Sequence, residues 1–219
     1  MSVPPHMTIG IVLAPRSARY SRAQFQQHYE SYHAPLFLSF TSPFIGRYTR
    51  NHIVRAAGAD PGFDTLSEFG HYPAKRTELM AALRAPEARV LEEDVQTFLA
   101  ERGNSFEVDQ MLISGPPRGY EAGPVRKHAI LLKAADGTPP RDIDPLARGF
   151  ATAIAQQIGG RARRVELTLW KREPAPPLDA MVMVWPAEGA TLPELSPSSG
   201  GLSVAYLLEL DAYCTAWRE

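Results

Sequence analysis

The residues best suited to chemistry lie in the stretch YSRAQFQQHYESYHAPLFLSF, Tyr20 to Phe40, and in the run IGRYTRNHIV that follows it. His33 stands two residues before Pro35, with Tyr29 and Tyr32 within one helical turn of it. An imidazole there could take a proton from an acidic carbon or hydroxyl near neutral pH, and the phenols could orient the molecule that supplies it. A plainer reading competes. Pro35 has no N–H, so the Ser31 carbonyl loses its helical partner and Ala34 is pushed away from α geometry, and His33 could donate to the freed carbonyl.

In the following run, alternation places Tyr48, Arg50, His52 and Val54 on one face and Arg47, Thr49, Asn51 and Ile53 on the other. If the Tyr48 face looks into a barrel, His52 could move a proton and Arg50 could hold an enolate or carboxylate. If the Arg47 face looks inward, Asn51 is the polar group. His52 also reads as an exposed strand end, and so does His71, which Tyr72 and Pro73 follow. The catalytic candidates are therefore His33 and His52. The ligand-binding candidates are Tyr29, Tyr32, Tyr48, Arg50 and His71.

Other chemistries find less support. No histidine pair shows HxH or HExxH spacing, and the single cysteine, Cys214, excludes both an intrachain disulfide and a multi-thiolate site within one chain. SGPPRG and SSGGLS are turns, without the strand-loop-helix context of a phosphate loop, and GxSxG is missing. No metal and no cofactor are expected. Lys plus Arg number 23 against 24 Asp plus Glu, so no overall field favours nucleic acid or an anionic membrane. The cluster Arg161, Arg163, Arg164 reads as a solvated strand edge. A lone thiol and an N-terminus without a basic n-region suit a cytoplasmic protein, and residues 1–6 read as a loose tail.

Those residues need elements to hold them. The 219 residues are divided by GPPRGYEAGP, where three prolines and three glycines in ten residues break regular structure. This predicts a first domain over 1–115, a linker over 116–124 and a second domain over 125–219. In the first, β-branched runs predict strands at 7–15, 45–54, 65–72 and 105–113. Ser21 with Gln24 forms a capping box, and Phe25, Tyr29, Tyr32, Leu36 and Phe40 define one helical face. Leu79 and Leu83 begin a further helical face, and Pro86 to Gly103 carries the marks of a second helical segment. The order β-α-β-β-α-β is that of a ferredoxin-like domain. The second half repeats it with strands at 125–133, 161–171, 179–185 and 201–212 and a helix at 143–158. Its second helix, at 186–199, is short or missing.

A four-stranded sheet with helices on one face leaves the other face bare, and two such sheets can cover each other. The expected fold is α+β: two tandem ferredoxin-like domains packed sheet to sheet as an α/β barrel of the dimeric type, with any cavity between the sheets. His128, Trp170 and Trp185 are expected to close that core.

The arrangement Phe25, Tyr29, His33, Ala34, Pro35, Leu36, followed by Arg47 and Tyr48 and then by Ala85, Pro86, Glu87, resembles the EthD family over roughly residues 7–114. The resemblance implies a ferredoxin-like unit that pairs into a barrel with a ligand cavity. Family members are associated with ethyl tert-butyl ether degradation beside a haem monooxygenase system, and similar barrels include cofactor-free cyclases, dehydratases, decarboxylases and oxygenases. His71 and Tyr72 depart from the pattern, standing where large apolar residues usually close the third strand. The function these readings converge on is a cofactor-free enzyme of lyase, cyclase or oxygenase type, acting on a small hydrophobic or aromatic molecule. The alternative is a non-catalytic carrier serving a monooxygenase pathway. Association into a homo-oligomer is left open by the last strand, whose edge could pair.

Overall fold

The computed structural model describes residues 7–57, 60–118, 124–171, 177–191 and 201–215; the tail read over 1–6 and the stretch 192–200, where a short second helix was in question, lie outside them. Strands β1 (Thr8–Ala14), β2 (Ile45–Ala57), β3 (Thr65–His71) and β4 (Asn104–Ser114) come from the first half. Strands β5 (Val125–Ala134), β6 (Ala162–Trp170), β7 (Ala180–Pro186) and β8 (Leu202–Cys214) come from the second. All eight pair antiparallel into a closed barrel of order β1-β3-β2-β8-β5-β7-β6-β4. The two sets of four meet along their edges, β2 with β8 and β4 with β6. The last strand, β8, is therefore paired on both sides, to β2 and β5, and offers no free edge.

Among the described residues five α-helices lie outside the barrel: α1 (Arg22–His28), α2 (Ala34–Thr41), α3 (Arg76–Arg84), α4 (Arg89–Phe98) and α5 (Pro140–Ile158). Ser21 caps α1 with the reciprocal bonds of a capping box, as its spacing from Gln24 predicts. None of the described helices is long and apolar enough to cross a membrane.

Pro35 neither breaks the helix nor displaces Ala34, which keeps α geometry at φ −65°, ψ −44°. The chain answers the missing N–H by widening into a π-helical turn over Tyr29–His33 between α1 and α2. There the Ala34 N–H bonds to the Tyr29 carbonyl, five residues back. Such a turn inserts one residue into the helical register, so that Tyr29, Glu30 and His33 all reach packed surfaces. π-bulges of this kind are frequent at functional sites.

The barrel interior divides into two ends. At one, Ile11, Leu13, Phe63, Leu66, Leu131, Met181 and Leu208 pack with Trp170, which sits in the core as expected. At the other, the inward faces of the strands are charged. Arg47 donates to Glu68 and, at 2.9 Å, to Gln110. Asn51 donates to Glu68 at 2.9 Å and accepts from Lys127 at 3.3 Å, across the intervening β8. These cross-barrel bonds show that the Arg47 face of β2 looks inward, and that Tyr48, Arg50 and His52 look out toward the helices. Arg164 is likewise buried inside, bonded to the carbonyls of Pro116 and Pro117, whereas Arg161 and Arg163 are exposed.

The start of the segment read as a linker folds into this end. Gly115 turns with φ +90°, and a side chain there would strike the Arg163 carbonyl. Arg118 follows, buried, bridging Glu68 at 2.8 Å to Glu166 and lying over the Trp185 ring. The Trp185 ring also meets Lys127 and Arg164, so it underlies the charged end instead of a purely apolar core. Burial would raise the Glu68 carboxyl, yet Arg47 and Lys127 together with its hydrogen bonds hold it down at about 2. Burial and the Glu68 charge push Glu166 the other way, up to about 7.

Candidate functional site

The site is assembled where the π-turn lies against the outer face of β2 and β3. Tyr29, one of the first residues to leave α register, donates or accepts at 2.9 Å with Ser67 on β3, and the Tyr48 hydroxyl donates to it at 3.3 Å. Burial raises both phenols, and Tyr48 well above the usual range because Tyr29 adds to the effect. Next along the turn, Glu30 accepts from Arg50 at 2.6 Å and from His52 Nε2 at 2.7 Å. Burial acts to raise Glu30, but these donors win and hold it below the ordinary carboxylate range. His52 Nδ1 meets the Thr65 hydroxyl at 2.9 Å, so both of its ring nitrogens are engaged. His52 is 2% exposed, not a solvated strand end.

His33 does not bond to the Ser31 carbonyl. Its Nδ1 lies 2.8 Å from Asp94 Oδ2 on α4, and His28 Nε2 lies 2.7 Å from the other oxygen of the same carboxylate. Asp94 is drawn below its ordinary range by these two bonds, against a burial effect that would raise it. The His33 ring packs on Phe98 at 4.8 Å and Tyr29 at 4.9 Å, with Phe37 stacked at 6.4 Å. Its side chain retains 9% exposure.

A cleft of about 340 Å³ opens between α2 and the start of β2, lined by Leu38, Ser39, Ser42, Ile45, Tyr48 and Thr215 with the chain at Gly46 and Arg47. At its floor Thr49 pairs with Cys214, and the Thr215 N–H donates to the Tyr48 carbonyl at 2.9 Å. The Phe37 ring stands 5.2 Å from Tyr48 and 6.4 Å from His33.

Of the residues singled out in the sequence, Tyr29, Tyr48, Arg50, His33 and His52 thus meet in one layer. Tyr32 is 47% exposed, beside His28. His71 stands at the end of β3, and partial burial together with Arg76 lowers its basicity. It lines neither this cleft nor a wider hollow of about 740 Å³ on the second half, where His128, Arg55 and Arg126 lie. His128 is therefore on the outer wall and takes no part in the core. Sequence reasoning missed Glu30 and Asp94, acids whose helical positions facing the histidines follow only from the π-turn and from the docking of α4. Among the described residues no three His, Cys, Asp or Glu side chains gather in a way that could hold a metal ion.

The fold recurs in solved structures. A candidate monooxygenase from Lactobacillus acidophilus NCFM aligns over 96% of both chains with a TM-score of 0.50 at 10% identity. A second candidate monooxygenase, from Fusobacterium nucleatum subsp. nucleatum, aligns over 96% of this chain and 94% of its own, with a TM-score of 0.50 at 8% identity. At such identities the likeness is one of architecture. No curated protein matches the sequence. The family model of the EthD domain matches residues 18–102, which span the π-turn, β2, β3 and α4, the elements that gather these side chains.

Proposed function

We propose that this protein is a small-molecule enzyme of the EthD-like α/β-barrel type, working without a bound cofactor on an aromatic or hydrophobic metabolite, by lyase, cyclase or oxygenase chemistry. The observation that carries the reading is the pairing of His33 with a buried carboxylate, beside two hydrogen-bonded tyrosines of which one lines a cleft of small-ligand size. Tyr48 meets the ligand and Tyr29 orients it. His33 is the proton-transfer group, reached when the partly buried Phe37 ring rotates aside. His52, with both nitrogens engaged, and Arg50 hold Glu30 and through it the π-turn.

The two halves are read as tandem ferredoxin-like domains, over 1–115 and 125–219. The strand order β4-β1-β3-β2 in one and β8-β5-β7-β6 in the other supports this, because both follow the sequence 4-1-3-2 within their own half. A cytoplasmic location fits the lone, unpaired Cys214.

One observation favours a carrier: no histidine lines the cleft. The test is a panel of hydroxyaromatic and enolisable compounds, scored for binding and for conversion. The enzyme reading expects conversion that His33→Gln abolishes while melting temperature and affinity persist. Affinity without conversion in the wild type, unchanged in His33→Gln, would establish the carrier instead.

A further inference from the structure

Asp94 is used twice. Each of its oxygens faces a different imidazole nitrogen, His33 Nδ1 at 2.8 Å and His28 Nε2 at 2.7 Å, and its own exposure is 4%. A carboxylate is an acceptor at both oxygens, so each imidazole nitrogen facing it must carry its proton. In the neutral ring of His33 that leaves Nε2 with its lone pair, and no partner for Nε2 is present among the described residues. The arrangement is over-determined. With a single donor the carboxylate could turn about its Cβ–Cγ bond; with two donors on opposite oxygens, packed against the Phe98 ring, turning would strand one of them.

We infer that Asp94 and His28 are positioning residues that hold His33 as the Nδ1–H tautomer, so that His33 presents a hydrogen-bond acceptor and the ligand group it meets is a neutral donor, a phenol, enol or carbon acid, and not a carboxylate. This rests on the small-molecule reading above and adds the class of ligand. A carboxylate brought to His33 Nε2 would meet a lone pair, with the Asp94 charge one ring away and both Tyr29 and Tyr48 held neutral by burial. A phenol or an enolisable ketone would donate to Nε2, and the proton it gives up would make an imidazolium already paired with Asp94. The proton moves from ligand oxygen or carbon to Nε2, the electron pair stays on the ligand as phenolate or enolate, and Asp94 keeps its charge throughout.

The experiment uses the full chain labelled with ¹⁵N. Long-range ¹H–¹⁵N spectra near pH 8 read the tautomer of each histidine directly. The expected result is protonated Nδ1 and bare Nε2 for His33, the reverse for His28, and mixed tautomers at His33 in Asp94→Asn and in His28→Phe, which retains an aromatic ring at that position. An Nε2–H tautomer of His33 in the wild type, or a His33 spectrum untouched by both variants, would overturn the positioning role; Asp94→Glu, which keeps the charge, covers the case in which Asp94→Asn fails to fold. Phenol and benzoate then serve as probes. Phenol should move the His33 Nε2 resonance and benzoate should leave it in place; the opposite pattern would overturn the ligand class. If neither probe moves it while the tautomer is as stated, the positioning role stands and the small-molecule reading fails.

Discussion

The layer between helices and barrel differs sharply between the two halves. In the first, the π-turn and α4 face the strands through Tyr29, Glu30, His33, Tyr48, Arg50, His52, Ser67 and Asp94. In the second, α5 faces them through Ala147, Phe150, Ala151 and Ile154 against Ile130, Leu132, Val165, Leu167, Val182 and Val184, and every buried residue of α5 is apolar. Both solutions bury a helix on a four-stranded set. The apolar one is the simpler, since every buried polar group must first recover the hydrogen bonds it had with water. A half that keeps eight such groups where aliphatic side chains suffice elsewhere is the half in which to seek chemistry.

The comparison is sharpened most by Ile154→Ala. Ile154 is 1% exposed, so its truncation should cost ~2–5 kcal/mol in urea unfolding and leave small-molecule binding unchanged. Loss of binding in that variant would break the division between the halves.

The charged end of the barrel, which draws on both halves, gives the next largest effect. The folded protein keeps the Glu166 proton up to about 7, whereas an unperturbed carboxyl releases it near 4.5. Between those values the folded state binds more protons than the unfolded one, so stability falls as pH rises through the window. Glu166→Gln should flatten that slope. Glu68 has the opposite sign: held at about 2, it adds stability that is present above pH 4.5 and is lost as pH falls toward 2. Denaturation midpoints measured from pH 2 to 8 check both windows.

Tyr48→Phe should cost only ~1 kcal/mol, because Tyr29 keeps its bond to Ser67, but should weaken binding of hydroxyaromatic ligands measured by calorimetry. The smallest effect belongs to His128→Gln on the outer wall of the second half. Stability should stay within ~0.5 kcal/mol and conversion should not change, whereas His33→Gln abolishes conversion.

Much of the frame was legible in the residues. β-branched runs located all eight strands to within a few positions, and the Ser21–Gln24 spacing marked a helix start that the structure reproduces. Pro35 marked an irregularity, but propensity alone suggests a break, and the outcome was a π-turn, because the packed Tyr29, Glu30 and His33 over-determine it. Alternation left open which face of β2 looks inward; the Arg-Thr-Asn face does, because Glu68, Gln110 and Lys127, from three other strands, arrive to satisfy it. Arg118 was hidden for the same reason. A proline- and glycine-rich segment reads as a linker, and nothing local reveals that a buried pair of carboxylates awaits its arginine.

The most direct test of the central claim is a crystallographic soak of the protein with a set of small phenols and cyclic ketones. Fragments seated in the cleft between α2 and β2, against Tyr48 and reaching past Phe37 toward His33, are the predicted result. Fragments found only in the hollow around His128 and Arg126, with the first half unvisited, would contradict it.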